Sequence, residues 1–332
     1  RSYALAVRKT GAFDLYADTR SQVYAGVEAE RPSTNEAVDA TAGQVVLYGG
    51  KVATTYFYSS SGGRTASIQD VWNARPVPYL VSVADPYDTI SPHHSWGPVV
   101  FTSARLAKVL KVPGALVDVQ APLNSSGRVQ EIVATGTRGQ VTVAAKDVRS
   151  MLGLDSTWFS LGQLSLSKPA KSSVAYGSRL RLDGVARGVT APVLQQRPPH
   201  GTWTSSGALA VAQDGTLGVV VKPAAATEYR LAVNGVAASG VVKISVQPVV
   251  RLTPPTDPTT LRGTFKPALE NTLVQVQRND GVAWRTVATA RSSADGAFAA
   301  QLTLNPGNYR ARVAPGHGLA VGLSQILKVV AQ

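Results

Sequence analysis

The sequence predicts an α+β domain followed by two tandem all-β sandwich domains, and three observations support this prediction. Residues 1–163 mix helical and strand-like patterns, the rest of the chain lacks a convincing helix, and that second part contains an internal repeat. Of the 332 residues, 44% are hydrophobic and 16% are charged, which excludes a disordered or collagen-like chain. We therefore predict domains at residues 1–163, 164–249 and 250–332.

The first part contains two helical patterns and three strand-like runs. The helical patterns cover residues 1–8 and 103–112, and the strand-like runs cover residues 44–48, 53–58 and 140–144. In the second helical pattern, Leu106, Val109 and Leu110 recur at the spacing of one helix face, and Thr102 or Ser103 precedes them as a candidate N-cap.

The sequence pattern of the second part predicts β-strands throughout. Short alternating runs at residues 217–221, 229–233 and 241–246 are separated by Gly, Pro and Asn-Gly turns. This rhythm is typical of β-sandwiches, and it predicts domains of the immunoglobulin-like kind.

An internal repeat indicates that there are two such domains. Four positions of one copy recur in the other at offsets of 81, 81, 81 and 80 residues. They are Arg197 with Arg278, Trp203 with Trp284, Asp214-Gly215 with Asp295-Gly296, and Tyr229-Arg230 with Tyr309-Arg310. We expect the boundary within residues 249–260, where Pro254-Pro255 and Asp257-Pro258 predict a stiff, extended linker.

Composition excludes several classes of function. The chain has no Cys, so it has no disulfide framework, no thiol nucleophile and no Cys-based zinc site. It also has no run of about 18 apolar residues of the kind that a membrane span needs. Residues 1–163 hold 15 Lys and Arg against 13 Asp and Glu, a net charge of +2, whereas residues 164–332 hold 18 against 7, a net charge of +11.

Three segments of the first part carry a resemblance to a known family. The first comprises residues 22–27, Glu30 and residues 37–43. The second comprises residues 56–65, Asp70, Trp72, residues 78–80, Ser82-Val83 and Asp85, and the third comprises residues 153–159. In order and spacing, over about residues 1–160, they resemble the stage II sporulation protein D family, the SpoIID/LytB domain. The resemblance implies a secreted protein on the extracellular side of a bacterial envelope, acting on peptidoglycan as a lytic transglycosylase or as an amidase enhancer, with sporulation as one setting.

The sequence departs from this family at two points. The family's catalytic Glu lies in a Glu-Met-Pro-like segment before an Ala-rich helix, and residues 1–6 resemble the tail of that helix. We therefore expect the start of the domain to be missing from this sequence, and we assign no catalytic residue. Some members bind zinc through Cys and His, but this chain has no Cys and has Tyr58 where many relatives place a His. No metal and no cofactor are expected.

Twelve residues are candidates for binding the glycan substrate. The serines and glycines of residues 59–63 offer hydroxyls and a backbone that a polar ligand can approach closely, and Trp72 offers a flat face for a sugar ring. The set is Gln22, Tyr24, Glu30, Tyr56, Ser59, Ser60, Ser61, Gly62, Gly63, Thr65, Asp70 and Trp72.

Several of these candidates have a structural alternative. Residues 59–63 also fit an ordinary hairpin turn, Trp72 fits core packing, and Glu30 fits a solvated carboxylate paired with Arg31 or Arg20. A relay of Ser60, His94 and Asp70 can be drawn from residue types alone, but nothing in the spacing demands it.

The sequence thus predicts a protein that binds and remodels peptidoglycan glycan strands, with the basic β-domains anchoring it to anionic cell-wall polymers. The alternative is a non-catalytic wall-binding protein or amidase enhancer, for which a wall amidase is the partner. Nucleic-acid binding is not favoured, because the basic residues are scattered and no recognised motif accompanies them.

Overall fold

The computed structural model describes residues 1–6 and 11–330. The chain divides into two compact units, Arg1–Phe159 and Ser160–Gln332. Most of the regular structure is β-sheet, arranged in several small sheets, and the helices are few and short. The architecture is compatible with sandwich domains in the second unit.

In the described residues of the first unit, short helices are combined with five strands. Its helices are α1 (Ser2–Ala6), α2 (Pro32–Ala40), α3 (Ile68–Trp72), α4 (Ser103–Leu110) and α5 (Ala145–Leu152), with 3₁₀ turns at Val27–Ala29 and Pro86–Ile90. Its strands are β1 (Leu47–Tyr48), β2 (Lys51–Val52), β3 (Leu116–Gln120), β4 (Glu131–Gly136) and β5 (Gly139–Ala144).

The core of the first unit lies where α4 and α5 pack on the antiparallel sheet β3–β4–β5. Alternate residues of β4 are buried, as expected for a strand with one face on a core. Its buried side chains include Ile132 and Ala134 on β4, Leu110 on α4 and Val148 on α5. The predicted helix N-cap is confirmed, because the Arg105 N–H donates to Thr102 Oγ1 at 3.2 Å.

Other predictions for this unit are only partly correct. The run at residues 140–144 is strand β5, but only Leu47–Tyr48 of residues 44–48 is a strand. The Ala53 N–H donates to Val46 O at 2.9 Å, but in the described part of the chain no strand pairs with the rest of residues 53–58, so these residues do not form a strand. The first helix covers Ser2–Ala6, and residues 7 and 8 of that prediction lie outside the described residues.

The second unit contains two successive sets of strands, each forming two sheets. We call residues 163–247 the first repeat and residues 249–329 the second repeat. The first repeat comprises β6 (Gln163–Leu166), β7 (Ser173–Ala175), β8 (Leu180–Arg187), β9 (Val193–Arg197), β10 (Thr204–Ala208), β11 (Thr216–Val221), β12 (Thr227–Val233), β13 (Ala237–Ala238) and β14 (Val242–Gln247). The second comprises β15 (Val249–Leu252), β16 (Thr260–Lys266), β17 (Leu273–Asn279), β18 (Trp284–Arg291), β19 (Ala297–Gln301), β20 (Gly307–Val313), β21 (Gly322–Leu323) and β22 (Leu327–Val329).

The two repeats use the same strand arrangement. The first pairs the sheet β11–β8–β6 with the sheet β10–β9–β12–β14–β7, and the second pairs β15–β16–β19 with a sheet built on β18–β17–β20. Apolar side chains of both sheets meet in each repeat, including Leu182 and Leu231 in the first and Phe265 and Val274 in the second. The predicted strand runs at residues 217–221, 229–233 and 241–246 are confirmed, within a residue or two at their ends.

The repeat is visible in the hydrogen bonds as well as in the sequence. Gly215 and Gly296 both have positive φ, and their carbonyl groups accept from Ala186 N at 2.8 Å and from Phe265 N at 3.0 Å. Tyr229 and Tyr309 occupy matching positions on β12 and β20.

One predicted correspondence is wrong by one residue. Gln196 lies opposite Tyr229, whereas Arg278 lies opposite Tyr309, so the counterpart of Arg278 is Gln196 and not Arg197. The two arginines consequently face opposite sides of their sheets. Arg197 stacks over Trp203 at 4.3 Å, and Arg278 donates to Pro306 O at 2.7 Å.

The predicted linker is a hairpin connection within the second repeat. Strands β15 and β16 are antiparallel neighbours, with Leu252 opposite Gly263. Residues 253–259 join them, and Asp257 Oδ1 stabilises the turn by accepting from Thr259 N at 2.8 Å. The prolines therefore stiffen a loop inside a sheet rather than a connection between domains.

Candidate functional site

The serine-rich loop of residues 59–63 is built around the carboxylate of Asp88. Ser61 N donates to Asp88 Oδ1 at 2.7 Å and Gly62 N to Asp88 Oδ2 at 2.8 Å. The Ser60 hydroxyl donates to the same carboxylate at 2.8 Å, and His94 Nδ1 lies 2.8 Å from Oδ2. Gly62 and Gly63 have φ of +73° and +105°, which explains glycine at both positions. The loop therefore wraps one buried acid.

The hydrogen bonds keep Asp88 ionised. Burial by itself raises the pKa of Asp88, but the hydrogen bonds from Ser61, His94, Ser60 and Gly62 outweigh burial and hold the pKa well below its usual range. A carboxylate with such a low pKa accepts hydrogen bonds at neutral pH and has no proton to donate. Asp88 thus serves as a positioning group for the loop.

A second set of polar contacts, made by Asp85 and Arg128, also holds this loop. The Ser61 hydroxyl donates to Asp85 Oδ2 at 2.9 Å, and Arg128 Nη2 donates to Ser61 O at 3.0 Å. The Arg128 guanidinium stacks over the Trp158 ring at 4.9 Å, and burial lowers the pKa of Arg128. Together these contacts fix the loop. Ser61 is buried, at 2% exposure, whereas Ser59 is exposed and Ser60, Gly62 and Gly63 are half-buried.

Two aromatic rings lie beside the loop in the sequence and touch each other in the structure. The rings of Tyr56 and Trp72 have centroids 4.6 Å apart and are tilted by 51°. Tyr56 is 46% exposed and Trp72 is 56% exposed, so the pair is not core packing. Together they offer a ligand a continuous apolar surface with a phenolic hydroxyl and an indole N–H at its edges.

Asp70 positions the short helix that carries Trp72. Its Oδ2 accepts from the Ser125 hydroxyl at 2.8 Å and from the Ser126 N–H at 3.0 Å, and it also binds the Ser126 hydroxyl. Thr65 lies between this helix and the loop, and its hydroxyl donates to Val81 O at 3.0 Å. Asp70 and Thr65 therefore hold the framework of the site rather than presenting free groups.

The remaining candidates form a separate group. The Tyr24 hydroxyl donates to Glu30 Oε1 at 2.9 Å, and Asn35 Nδ2 donates to Glu30 Oε2 at 2.9 Å. The bond to Glu30 raises the pKa of Tyr24. Gln22 is exposed, and within the described part of the chain no hydrogen bond or ring contact joins Gln22, Tyr24 or Glu30 to the serine loop.

The structure does not form the relay of Ser60, His94 and Asp70, which the spacing did not demand. Asp88 lies between Ser60 and His94, and Asp70 binds Ser125 and Ser126 instead. In a nucleophilic triad, histidine must bridge the serine and the acid, and here the acid bridges the other two. The sequence alone did not reveal Asp88 or Arg128, because their partners lie 28 and 67 residues away along the chain.

Two further observations concern metals and membranes. Among residues 1–6 and 11–330, no group of three or more His, Cys, Asp or Glu side chains is arranged to hold a metal ion. In that same part of the chain, no helix has the length and apolar character that crossing a bilayer requires.

Comparison with known proteins gives partial matches. Residues 1–48 match the model of the SpoIID family, described as stage II sporulation protein. A segment of 88 residues, 26% of the chain, is 36% identical to the Amidase enhancer of Bacillus subtilis (strain 168) and covers 12% of that protein. A segment of 71 residues, 21% of the chain, is 44% identical to an uncharacterized protein of Brachyspira hyodysenteriae and covers 19% of it. The matches thus span less than a fifth of these curated relatives.

Solved structures show only distant likeness. A tetra-tandem repeat in the extending region of a large adhesion protein is 16% identical, with a TM-score of 0.27, over 61% of this chain and 56% of that one. The ligand-binding domain of human OSCAR is 15% identical, with a TM-score of 0.20, over 50% of this chain and 97% of that one. These scores do not specify a shared fold.

Proposed function

Because the chain is related to the SpoIID family over part of its length, we propose that it works on the bacterial cell wall, where its first unit binds peptidoglycan glycan strands. The exposed ring pair of Tyr56 and Trp72 is the observation that carries this proposal. Sugar rings have apolar faces bordered by hydroxyls, so they match aromatic faces with polar groups at the edge. The proposed site lies on the extracellular side of the envelope.

The serine loop supplies the polar half of this site. Ser60, Ser61, Gly62 and Gly63 are held by Asp88 and Asp85, which fixes the loop before a ligand arrives. Ser59 is exposed at the start of the loop, where its hydroxyl can meet the hydroxyls of a glycan. We propose that Gln22, Tyr24 and Glu30 extend the same surface along the strand.

The side chains of the proposed site are suited to binding a glycan and not to donating a proton to it. Cleavage of a glycosidic bond needs a carboxyl group that stays protonated until it meets the leaving oxygen. The low pKa of Asp88 makes it unsuited to that task. A lytic transglycosylase activity, as the family resemblance implies, would need a different carboxyl group as its acid.

An amidase-enhancing role is the second candidate, and the similarity to the Bacillus subtilis protein favours it. In this role the first unit grips the glycan while a wall amidase, as partner, cuts the stem peptides. The two roles separate in one assay. Anhydro-muramic ends released from denuded glycan by the chain alone indicate cleavage, whereas faster amide hydrolysis only in the presence of an amidase indicates enhancement.

The second unit is proposed to retain the protein at the wall. Its paired sheets, and the Tyr309 hydroxyl that donates to Asn305 O at 2.9 Å four residues upstream, fit immunoglobulin-like sandwiches. We propose that these are the domains at residues 164–249 and 250–332. Their net charge of +11 attracts anionic wall polymers and so raises the concentration of the first unit at its substrate.

The test is the affinity of the full chain for soluble denuded glycan strands, measured for Trp72→Ala and Tyr56→Ala. Each substitution should weaken binding by about tenfold, because it removes one face of the ring pair. Trp284→Ala makes the same change in the second unit and should leave glycan affinity unchanged. Unaltered affinity in both first-unit variants, with folding intact by circular dichroism, would refute the proposal.

A further inference from the structure

One sheet face of the second repeat carries positive charge only. On the outer face of β15–β16–β19, the side chains of Arg251, Arg262 and Lys266 are all exposed. The three strands contain no Asp or Glu. Within the described part of the chain, none of these three cations has a hydrogen-bond or ion-pair partner. We call Arg251, Arg262 and Lys266 the cationic face.

The sheet register sets the spacing of these charges. Arg251 on β15 lies directly opposite Thr264 on β16, and Thr264 lies midway between Arg262 and Lys266 on its strand. Diagonal neighbours on adjacent strands are about 7–8 Å apart, so the three cations form a zigzag row with that interval. Thr264, between Arg262 and Lys266, and Ala299, opposite Arg262 on β19, are both small, so nothing bulky interrupts the row.

The first repeat has the same face without the open charges. Ala186 and Phe265 are equivalent through their matching bonds to Gly215 and Gly296, so Asp183 is the counterpart of Arg262 and Ser165 that of Arg251. There Arg181 Nε binds Asp183 Oδ1 at 2.7 Å. The first repeat thus has an acid, paired with Arg181, at the position of Arg262 and a serine at the position of Arg251. The counterpart of Lys266 is Arg187, which donates to Gln163 Oε1 at 2.8 Å.

Net charge does not explain this difference. Residues 164–249 hold 9 Lys and Arg against 3 Asp and Glu, and residues 250–332 hold 9 against 4, so the net charges are +6 and +5. The second repeat is the less basic of the two, and yet it alone has an uninterrupted cationic row on this face. The placement of the charges, rather than their number, distinguishes the repeats.

We propose that the cationic face binds a linear phosphodiester polymer of the cell wall, such as a poly(glycerol phosphate). The inference rests on the proposed function, since the wall context supplies the polymer. Two of the three cations are arginines, whose planar guanidinium matches the oxygens of a phosphate better than an ammonium does. A polymer with regularly spaced negative charges can meet all three cations at once, and no internal ion pair has to break first.

The experiment measures binding of the full chain to poly(glycerol phosphate) by calorimetry across a salt series. The variant Arg251→Gln/Arg262→Gln/Lys266→Gln should lose about tenfold or more in affinity and should show a weaker dependence on salt. The matched control is Lys168→Gln/Lys222→Gln/Lys328→Gln, which removes the same charge from exposed residues elsewhere in the second unit. The control should stay within about twofold of the parent chain.

A single charge reversal sharpens the test. Arg262→Asp places an acid where the first repeat has Asp183, and it should abolish most of the binding, because a negative charge then replaces the cation nearest to Arg251 in the row. Equal losses in the two triple variants would show that net charge alone attracts the polymer, and that result would overturn the proposal. Binding of the Arg262→Asp variant as tight as that of the parent chain would overturn it as well.

Other polyanions distinguish the ligand class, and peptidoglycan separates this inference from the proposed function. Polyglutamate binding as tightly as poly(glycerol phosphate) would overturn the phosphodiester assignment, and tighter binding of single-stranded DNA would reassign the face to nucleic acid. Peptidoglycan freed of phosphate polymers should bind the parent chain and the cationic-face variant equally. Failure of the parent chain to bind it refutes the proposed function but leaves the result for the cationic face standing.

Discussion

The two units of the chain place their large apolar side chains differently. In the second unit, Tyr229, Leu231, Phe265 and Tyr309 are fully buried between paired sheets. In the first unit, the buried apolar side chains lie almost all within residues 110–148, while the aromatic rings of residues 48–79 are exposed. Burial therefore organises the second unit, and it organises only one part of the first.

In the part of the first unit that has few buried apolar side chains, hydrogen bonds hold the loops in place. Around Asp88 and Asp70, the first unit fixes its loops with carboxylates that each accept several bonds from hydroxyl and N–H groups. Loops that are held by hydrogen bonds do not need buried aromatic rings for their stability. It leaves Tyr56 and Trp72 available to a ligand, whereas the corresponding large residues of the second unit are committed to its cores.

The largest effect is expected from a cavity in the second unit. Leu231 is 0% exposed, so Leu231→Ala should lower the free energy of unfolding of this unit by about 2–5 kcal/mol. Leu273→Ala is the control, because Leu273 is 47% exposed and should cost less than about 1 kcal/mol. Urea denaturation followed by circular dichroism measures both. Similar losses for the two variants would contradict the buried core.

The corresponding disruption of the first unit is Asp88→Asn. An amide offers one acceptor oxygen where the carboxylate offers two, so at least one bond from Ser61, Gly62 or Ser60 is lost. Hydrogen exchange at the Ser61 and Gly62 amides should accelerate by about tenfold or more. The control, Asp183→Asn, breaks an exposed ion pair of the second unit and should leave these amides unchanged. Exchange rates that do not respond to Asp88→Asn would remove Asp88 from the framework.

Acid should weaken the hydrogen bonds that Asp88 accepts from the serine loop. The pKa of Asp88 is depressed in the folded protein, so its stabilising contribution is complete above the ordinary carboxyl pKa of about 4 and is lost as the pH falls below that value. Protection of the Ser61 and Gly62 amides should therefore persist at pH 5 and decline only in stronger acid. Asp88→Asn should show no such decline beyond that of the unfolding chain. Loss of protection already between pH 6 and 5 in the parent protein would contradict the depressed pKa.

The smallest effect is expected from a substitution where the serine loop packs against the Trp158 ring. Gly62 has positive φ, and a Cβ there would lie 3.2 Å from Trp158 Cε3. Gly62→Ala should therefore destabilise the first unit by about 1–2 kcal/mol. Gly127→Ala has a similar positive φ with open space around it, so it measures the backbone contribution alone. A Gly62 variant no more destabilised than the Gly127 variant would show that Trp158 does not support the loop.

Local patterns were sufficient to predict some of the regular elements. The capped helix α4 and the strands β5, β11, β12 and β14 follow from periodicity and capping residues, which act over a few residues. Residues 53–58 have the composition of a strand, but a strand also needs a neighbour, and that requirement cannot be read from the segment itself. The shift between Arg197 and Arg278 likewise depends on pairing across strands.

The candidate site shows the same division. The sequence offered the serine loop, Tyr56 and Trp72 as candidates on the basis of their residue types and of the resemblance to the SpoIID family. It did not identify Asp88 as the group that holds the loop, and it offered Asp70 as a glycan-binding residue, whereas Asp70 binds Ser125 and Ser126. Contacts of this kind join residues that are tens of positions apart, and only the fold brings them together.

The first unit, on our proposal, meets the glycan with the ring pair and the serine loop, while the second unit takes no part in that contact. Hydrogen–deuterium exchange of the full chain, with and without denuded glycan strands, tests this division most directly. We expect slower exchange confined to residues 56–72 and to the neighbouring segments of the first unit, with residues 180–313 unchanged. Protection that appears only in the second unit, or none in residues 56–72 at saturating glycan, would contradict it.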